Sequence, residues 1–168
     1  MSPKIKRRQF ITLLGSAAAA WPLAARAQQP ERVRRIGVLL SLEESDPEGK
    51  AQLSGFTQGL AELGWIEGRN LRMEVRWGGG DVDRIRTFAK DLVALQPDVI
   101  VAQGTPVTTA LQRETRTIPI VFVVVTDPVG DGFVAGLPRP GGNITGFLTS
   151  ESAITAKMLS CLLRSSLA

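Results

Sequence analysis

Between residues 33 and 148 the chain exchanges two hydrophobic periods in strict turn, and that alternation limits the folds open to it. Residues 33–40 are a short β-rich run, and Gly37 within it predicts the close approach of another backbone. Residues 48–63 carry Leu53, Phe56, Leu60 and Leu63 at offsets of 3, 7 and 10, a single apolar stripe of a helix that Gly64 stops. Residues 71–77 alternate, with Leu71, Met73, Val75 and Trp77 on one face and Arg72, Glu74 and Arg76 on the other. That is a half-exposed strand at an edge. After Gly78-Gly79-Gly80, Asp81 is placed to cap a second helix, whose Ile85, Phe88, Leu92 and Leu95 repeat the same spacing before Pro97 ends it. Residues 98–102 form an apolar strand core. A helix then starts at Pro106 with Thr105 as its N-cap. Residues 118–125 are the most hydrophobic strand, with Pro119 near its start. A loop rich in Gly and Pro, a strand over 143–148 and a last helix from Glu151 complete the pattern.

Strands apolar on both faces and separated by amphipathic helices require a parallel sheet covered on both sides. Right-handed crossovers then predict an α/β fold, a doubly wound parallel five-stranded sheet of order 2-1-3-4-5, with 71–77 outermost.

The 168 residues make one domain, or one lobe of something larger. The sequence has no His, no Tyr and a single cysteine, Cys161. A Ser-His-Asp triad, a Cys-His dyad, a His-built metal site and an internal disulfide are therefore excluded. The formal charge of +4 is unevenly placed. Lys4, Lys6, Arg7, Arg8 and Arg26 stand in residues 1–27 without one acid; removing these five from the 20 basic residues leaves 15 against 16 acidic ones, a net of −1. The basic balance belongs to the N-terminus, so no nucleic-acid partner is expected.

That N-terminus reads as an address. A basic start is followed by 11 apolar and small residues, 10–20, and by Ala25-Arg26-Ala27, the small-x-small pattern that signal peptidase accepts. A membrane-spanning helix needs roughly 20 apolar residues, so this run is a leader rather than an anchor. Lys6-Arg7-Arg8-Gln9-Phe10-Ile11 is similar to the twin-arginine export signal of bacteria, with Arg7, Arg8 and Phe10 as its recognition residues; an ordinary secretory signal that carries Arg-Arg is the alternative. Residues 1–27 are thus expected to be a signal peptide cleaved at Ala25 and Ala27, and residues 28–157 the exported lobe.

In a doubly wound sheet a ligand lies beyond the carboxyl ends of the strands. Those points carry Ser41 and the acidic turn Glu43-Glu44-Ser45-Asp46-Pro47, then Gln103-Gly104-Thr105-Pro106, then Thr126-Asp127-Pro128. Hydroxyls, a carboxylate and a helix N-terminus on one edge suit a small zwitterion or another polar ligand. Each has a plainer reading. Thr105-Pro106 starts a helix well with or without a ligand, Thr126-Asp127-Pro128 is a good turn, and Ser41 can simply cap one. The acidic turn reads as a solvated loop, and Trp65 and Trp77 as packing residues. Neither a phosphate-binding G-x-x-x-x-G-K-[ST] loop nor a G-x-G-x-x-G after the first strand occurs, and no paired carboxylates suggest an acid and a base. The expectation is a lobe without catalytic residues, cofactor or metal.

Five segments resemble one family in unbroken order: Arg35-Ile36-Gly37-Val38-Leu39-Leu40, Gly59-Leu60-Ala61-Glu62-Leu63-Gly64-Trp65, Ile118-Pro119-Ile120-Val121-Phe122, Thr126-Asp127-Pro128-Val129-Gly130 and Arg139-Pro140-Gly141-Gly142-Asn143-Ile144-Thr145-Gly146. The resemblance is to ABC transporter substrate-binding proteins of the tryptophan/tyrosine-binding type, which have the type I periplasmic-binding-protein fold. It implies two Rossmann-like lobes with a solute between them. Ser41, Gly104, Thr105, Thr126 and Asp127 would line the N-terminal lobe's side, and an ABC permease at the inner membrane would read the closed form. The implied partners are a small-molecule solute, such as an amino acid, the permease, the export machinery and signal peptidase, and the implied location is the periplasm. From Met158 the text no longer follows the family pattern, which makes 158–168 a divergent tail and the chain a truncated receptor expected to be inactive. Leu159, Leu162, Leu163 and Leu167 are then expected to lie uncovered. Two other functions remain open at this point: a ligand-sensing lobe presented to a membrane receptor, and a small α/β enzyme.

Overall fold

The computed structural model describes residues 32–148 and 159–164. The chain divides into two units, Met1–Arg32 and Val33–Ala168. Arg7, Arg8, Phe10, Ala25 and Ala27, the start of the last helix at Glu151, and Leu167 lie outside the described residues.

The second unit is built from β1 (Arg34–Leu40), α1 (Pro47–Glu62), β2 (Leu71–Trp77), α2 (Val82–Ala94), β3 (Val99–Gln103), α3 (Thr105–Glu114), β4 (Ile120–Val123) and β5 (Ile144–Gly146). The strands form one five-stranded sheet in the order β2-β1-β3-β4-β5, parallel at every pairing. This is the predicted doubly wound order, with β2 at one edge.

Each strand's period of two sends alternate residues to opposite faces. Leu39, Ile100, Ala102, Ile120 and Phe122 join Ile85, Leu92, Val107 and Leu111 of α2 and α3 in one core. Ile36, Val38, Leu40, Val99, Val101 and Val121 join Phe56 and Leu60 of α1 in the other. Leu159 and Leu163, from the helical segment 159–164, are fully buried in this second core. Trp65 Nε1 donates to Ser160 Oγ at 3.0 Å, and Arg164 donates to the Leu63 carbonyl at 3.2 Å. The expectation of uncovered leucines is therefore corrected for Leu159 and Leu163: α1 and the sheet supply their cover. Among the described residues no helix is long and apolar enough to cross a membrane.

Local chemistry sets the helix starts. Asp46 accepts the Glu48 N–H at 2.8 Å and begins α1, with Pro47 in the first turn. Asp81 does the same for α2, accepting from Asp83 and Arg84 at 2.8 and 3.0 Å. Those two donors, the Arg84 N–H foremost, hold the Asp81 carboxyl below the usual aspartate range. α3 departs from expectation. Its N-cap is Gly104, and Thr105 is already helical, so Thr105 makes no side-chain cap.

Two further expectations shift. Gly37 faces side chains and not a neighbouring backbone, since a Cβ there would lie 3.3 Å from the Ile100 and 3.4 Å from the Leu92 side chains. The fourth strand is shorter than its apolar run. Pairing begins after Pro119 and stops at Val123, because Val124 turns the backbone to φ 57°. Ile118 and Val125 stay buried without being strand residues.

Candidate functional site

At the carboxyl edge of the sheet, β1 and β3 end side by side, with Leu40 opposite Gln103 in register. Ser41 follows Leu40 directly. Its main chain is fixed by the glycine turn after β2: Gly78 donates to the Leu40 carbonyl at 2.7 Å and Gly80 to the Ser41 carbonyl at 2.6 Å. Its side chain meets Gln103, whose Oε1 accepts both the Ser41 N–H at 2.9 Å and the Ser41 hydroxyl at 2.6 Å. Gln103 is a buried polar residue, 6% exposed. Its Nε2 reaches Gln52 Oε1 on α1 at 3.4 Å, and Gln52 Nε2 donates to Glu48 at 3.0 Å. A line of polar side chains thus runs from the end of β3 to the first turn of α1.

Gly104 stands next to this group. Its φ of 91° lies in the left-handed region, and a Cβ there would come within 3.1 Å of the Ser41 hydroxyl oxygen. Glycine allows both the conformation and the approach. The Gly104 N–H bonds the Val123 carbonyl at 2.9 Å, which ties the start of α3 to β4. In α3 the first side-chain bonds run backwards, Thr108 Oγ1 to the Gly104 carbonyl and Thr109 Oγ1 to that of Thr105. Among the described residues the N–H groups of Thr105 and Val107 meet no acceptor. Pro106, between them, has no N–H. Val107 is fully buried and Thr105 half-buried, so the Thr105 N–H is the accessible donor of the two at the positive end of the helix dipole, on the same edge as Ser41.

Ser41, Gly104 and Thr105 thus come together. Thr126 and Asp127 lie on the same edge beyond β4, both exposed, and among the described residues no hydrogen bond joins them to the Ser41 group. The Asp127 carboxylate is engaged locally: Oδ1 accepts the Gly130 N–H at 2.8 Å, and its carbonyl accepts Asp131 N–H at 2.9 Å. The turn-forming reading of Thr126-Asp127-Pro128 therefore describes at least part of what Asp127 does. Trp77 and Trp65 pack against the second core, as packing residues should.

Sequence reasoning reached Gln103 only as the first residue of the stretch Gln103-Gly104-Thr105-Pro106, gave it no role of its own, and passed over Gln52. A glutamine at a strand end carries no local signal, and only the β1–β3 register shows that it faces Ser41.

A separate cleft of about 370 Å³ opens at the other end of the strands, beside the start of β5. Gln112, Arg116, Gly132 and Asn143 are among its walls. Two of its polar side chains are already paired within the fold, Gln112 with the Gly132 carbonyl at 2.9 Å and Asn143 with that of Ile118 at 2.7 Å. The carboxyl edge, where donors and acceptors stay open, is the stronger candidate.

The family model for the ABC transporter substrate binding protein matches residues 35–160. A tyrosine-binding protein of Clostridioides difficile (strain R20291) is 31% identical over 116 residues, which are 69% of this chain and 33% of that protein. A conserved domain protein from Vibrio cholerae O1 biovar El Tor, known from its crystal structure, is 37% identical with a TM-score of 0.64, over 68% of this chain and 38% of that one. The ABC domain from Streptococcus pneumoniae in complex with L-Trp is 34% identical with a TM-score of 0.62, over 67% of this chain and 37% of that one. The chain spans about a third of the length of the curated relative it matches. The match runs from the first strand through the segment that closes the second core, and on these grounds the chain belongs to the ABC transporter substrate-binding protein family.

Proposed function

We propose that residues 28–157 form one wall of a solute-binding cleft in the receptor of an ABC importer. The ligand lies on the carboxyl edge against Ser41, Gly104, Thr105, Thr126 and Asp127. The observation that carries this reading is the start of α3, which has no side-chain cap and where the N–H of the half-buried Thr105 has no acceptor among the described residues, on the same edge as Ser41. A carboxylate fits the helix N-terminus, and a polar or cationic group fits the serine and aspartate. Relatives named for tyrosine and for L-Trp make an aromatic amino acid the leading ligand. A second lobe closes over the solute, and the closed form is what an inner-membrane permease reads. The receptor performs no chemistry on its ligand. It reaches the periplasm through the twin-arginine signal at Arg7, Arg8 and Phe10, and signal peptidase cleaves after Ala27.

A cleft normally buries 70–90% of its ligand. One wall leaves half of that surface in water, where polar contacts compete with solvent for little net gain. Equilibrium dialysis of the chain against L-tryptophan and L-tyrosine is expected to give saturable but weak retention, with a dissociation constant weaker than about 10 μM. Tighter retention means that a single wall suffices and contradicts the clamp. No saturable retention contradicts the ligand wall itself.

A further inference from the structure

We infer that Gln103 sets the direction of the proton on Ser41, so that this serine meets the ligand only as an acceptor and the ligand group opposite it is an N–H donor of the protonated-amine class. The inference rests on the carboxyl-edge reading and adds to it a positioning residue and a polarity. It begins from a donor that has no choice. The Ser41 backbone N–H can only donate, and the Gln103 side-chain atom 2.9 Å from it must accept. That fixes the amide of Gln103 with its oxygen, not its nitrogen, toward Ser41. The same oxygen lies 2.6 Å from Ser41 Oγ. A carbonyl oxygen does not donate, so the hydroxyl does. The hydroxyl has one proton, and this bond takes it.

The two lone pairs of Oγ remain. Among the described residues no donor reaches them, and Gly104 keeps the space before them open, since a Cβ there would stand 3.1 Å away. Gln103 cannot easily turn to another arrangement. It ends β3, it is buried, and its Nε2 extends to Gln52 on α1. A carboxylate placed at Ser41 would set lone pair against lone pair. A protonated amine would complete the bond, and a hydrogen bond to a charged group is among the stronger ones. The edge is thereby polarised, with an acceptor at the end of β1 and the Thr105 N–H as a donor at the start of α3.

The test is a titration of the full chain, followed by ¹⁵N amide shifts, with L-tryptophan and with indole-3-propanoate, which lacks only the amine. In the unaltered chain L-tryptophan is expected to win by about five-fold or more in affinity at the amides of Gly104 and Thr105. Gln103→Glu keeps an acceptor for both Ser41 groups and should keep the preference. Gln103→Leu frees the hydroxyl to rotate, and the preference should fall below about two-fold while the α3 amides still respond. Ser41→Ala should lose it equally without disturbing a buried residue, which covers the case in which the leucine variant fails to fold. Retention of the preference in Gln103→Leu or Ser41→Ala overturns the inference. So does equal response to the two compounds in the unaltered chain, although the carboxyl edge would then still be the ligand wall. If neither compound moves those amides, the carboxyl-edge reading falls, and the inference with it.

Discussion

Replacing Asp98 by alanine is expected to cost about 3–5 kcal/mol of folding stability, the range for breaking one partner out of a buried ion pair. Asp98 stands at the amino end of β3, where one carboxylate oxygen accepts from Arg34 at 2.8 Å and the other from the Arg35 backbone N–H at 2.9 Å. The side chains are 5% and 12% exposed for Arg34 and Asp98 respectively, so solvent cannot easily replace the lost carboxylate. The Asp98 N–H in turn donates to the Arg35 carbonyl at 2.9 Å, and Arg35 reaches the Leu95 carbonyl at the end of α2 at 2.8 Å. One aspartate thus fastens β1 to β3, and its neighbour holds the helix between β2 and β3. Asp98→Asn keeps an acceptor for the Arg35 N–H and loses the charge, so it should fall between the wild type and alanine. Urea denaturation of the three proteins measures this. A loss below about 1 kcal/mol for Asp98→Ala would mean that the pair behaves like a solvent-exposed one. The bond matters for the candidate site too, because the register it fixes sets Gln103 beside Ser41 at the opposite end of the same strands.

The second large effect concerns the proposed export signal. Arg7→Lys together with Arg8→Lys preserves the charge of the N-terminal region and is expected to remove most of the exported protein. A guanidinium offers a planar fork of donors in fixed geometry, and an ammonium does not. A receptor that reads the pair by shape therefore discriminates where one that reads charge alone would not. Cell fractionation of tagged wild type and variant decides it. Equal periplasmic amounts would assign export to the general secretory route.

Much of the fold was legible because parallel sheets write themselves twice, once as apolar strands and once as the amphipathic helices that cover them. β2 was readable to the residue, since its outer position gives it a polar face that alternates in the sequence. β4 was not. Ile118 and Val125 are as apolar as true strand residues and equally buried, and only the proline before the strand and the left-handed turn at Val124 set its limits. Hydropathy reports burial, and burial does not require pairing. The start of α3 failed for a related reason. Thr105 is a good cap by residue type, but the chain needs a left-handed residue after β3, and that makes Gly104 the cap.

At the candidate site, the residues that sequence could propose were those with local chemistry: a serine after a strand, a helix start, an aspartate before a proline. Gln103 lacked such a mark. Its role depends on Leu40 standing opposite it, a contact between positions more than sixty residues apart, as the separation of 62 between Ser41 and Gln103 records. The cover over Leu159 and Leu163 was hidden in the same way, since α1 and the sheet supply it from far along the chain.

The central claim is that the ligand lies on the carboxyl edge and not in the cleft beside β5. A map of amide shifts over the whole chain during titration with L-tryptophan tests it most directly. Shifts are expected to concentrate at Ser41, Gly104, Thr105, Thr126 and Asp127, with a dissociation constant toward the millimolar range. Shifts confined to Gln112, Arg116, Gly132 and Asn143, with the carboxyl edge silent, would contradict it.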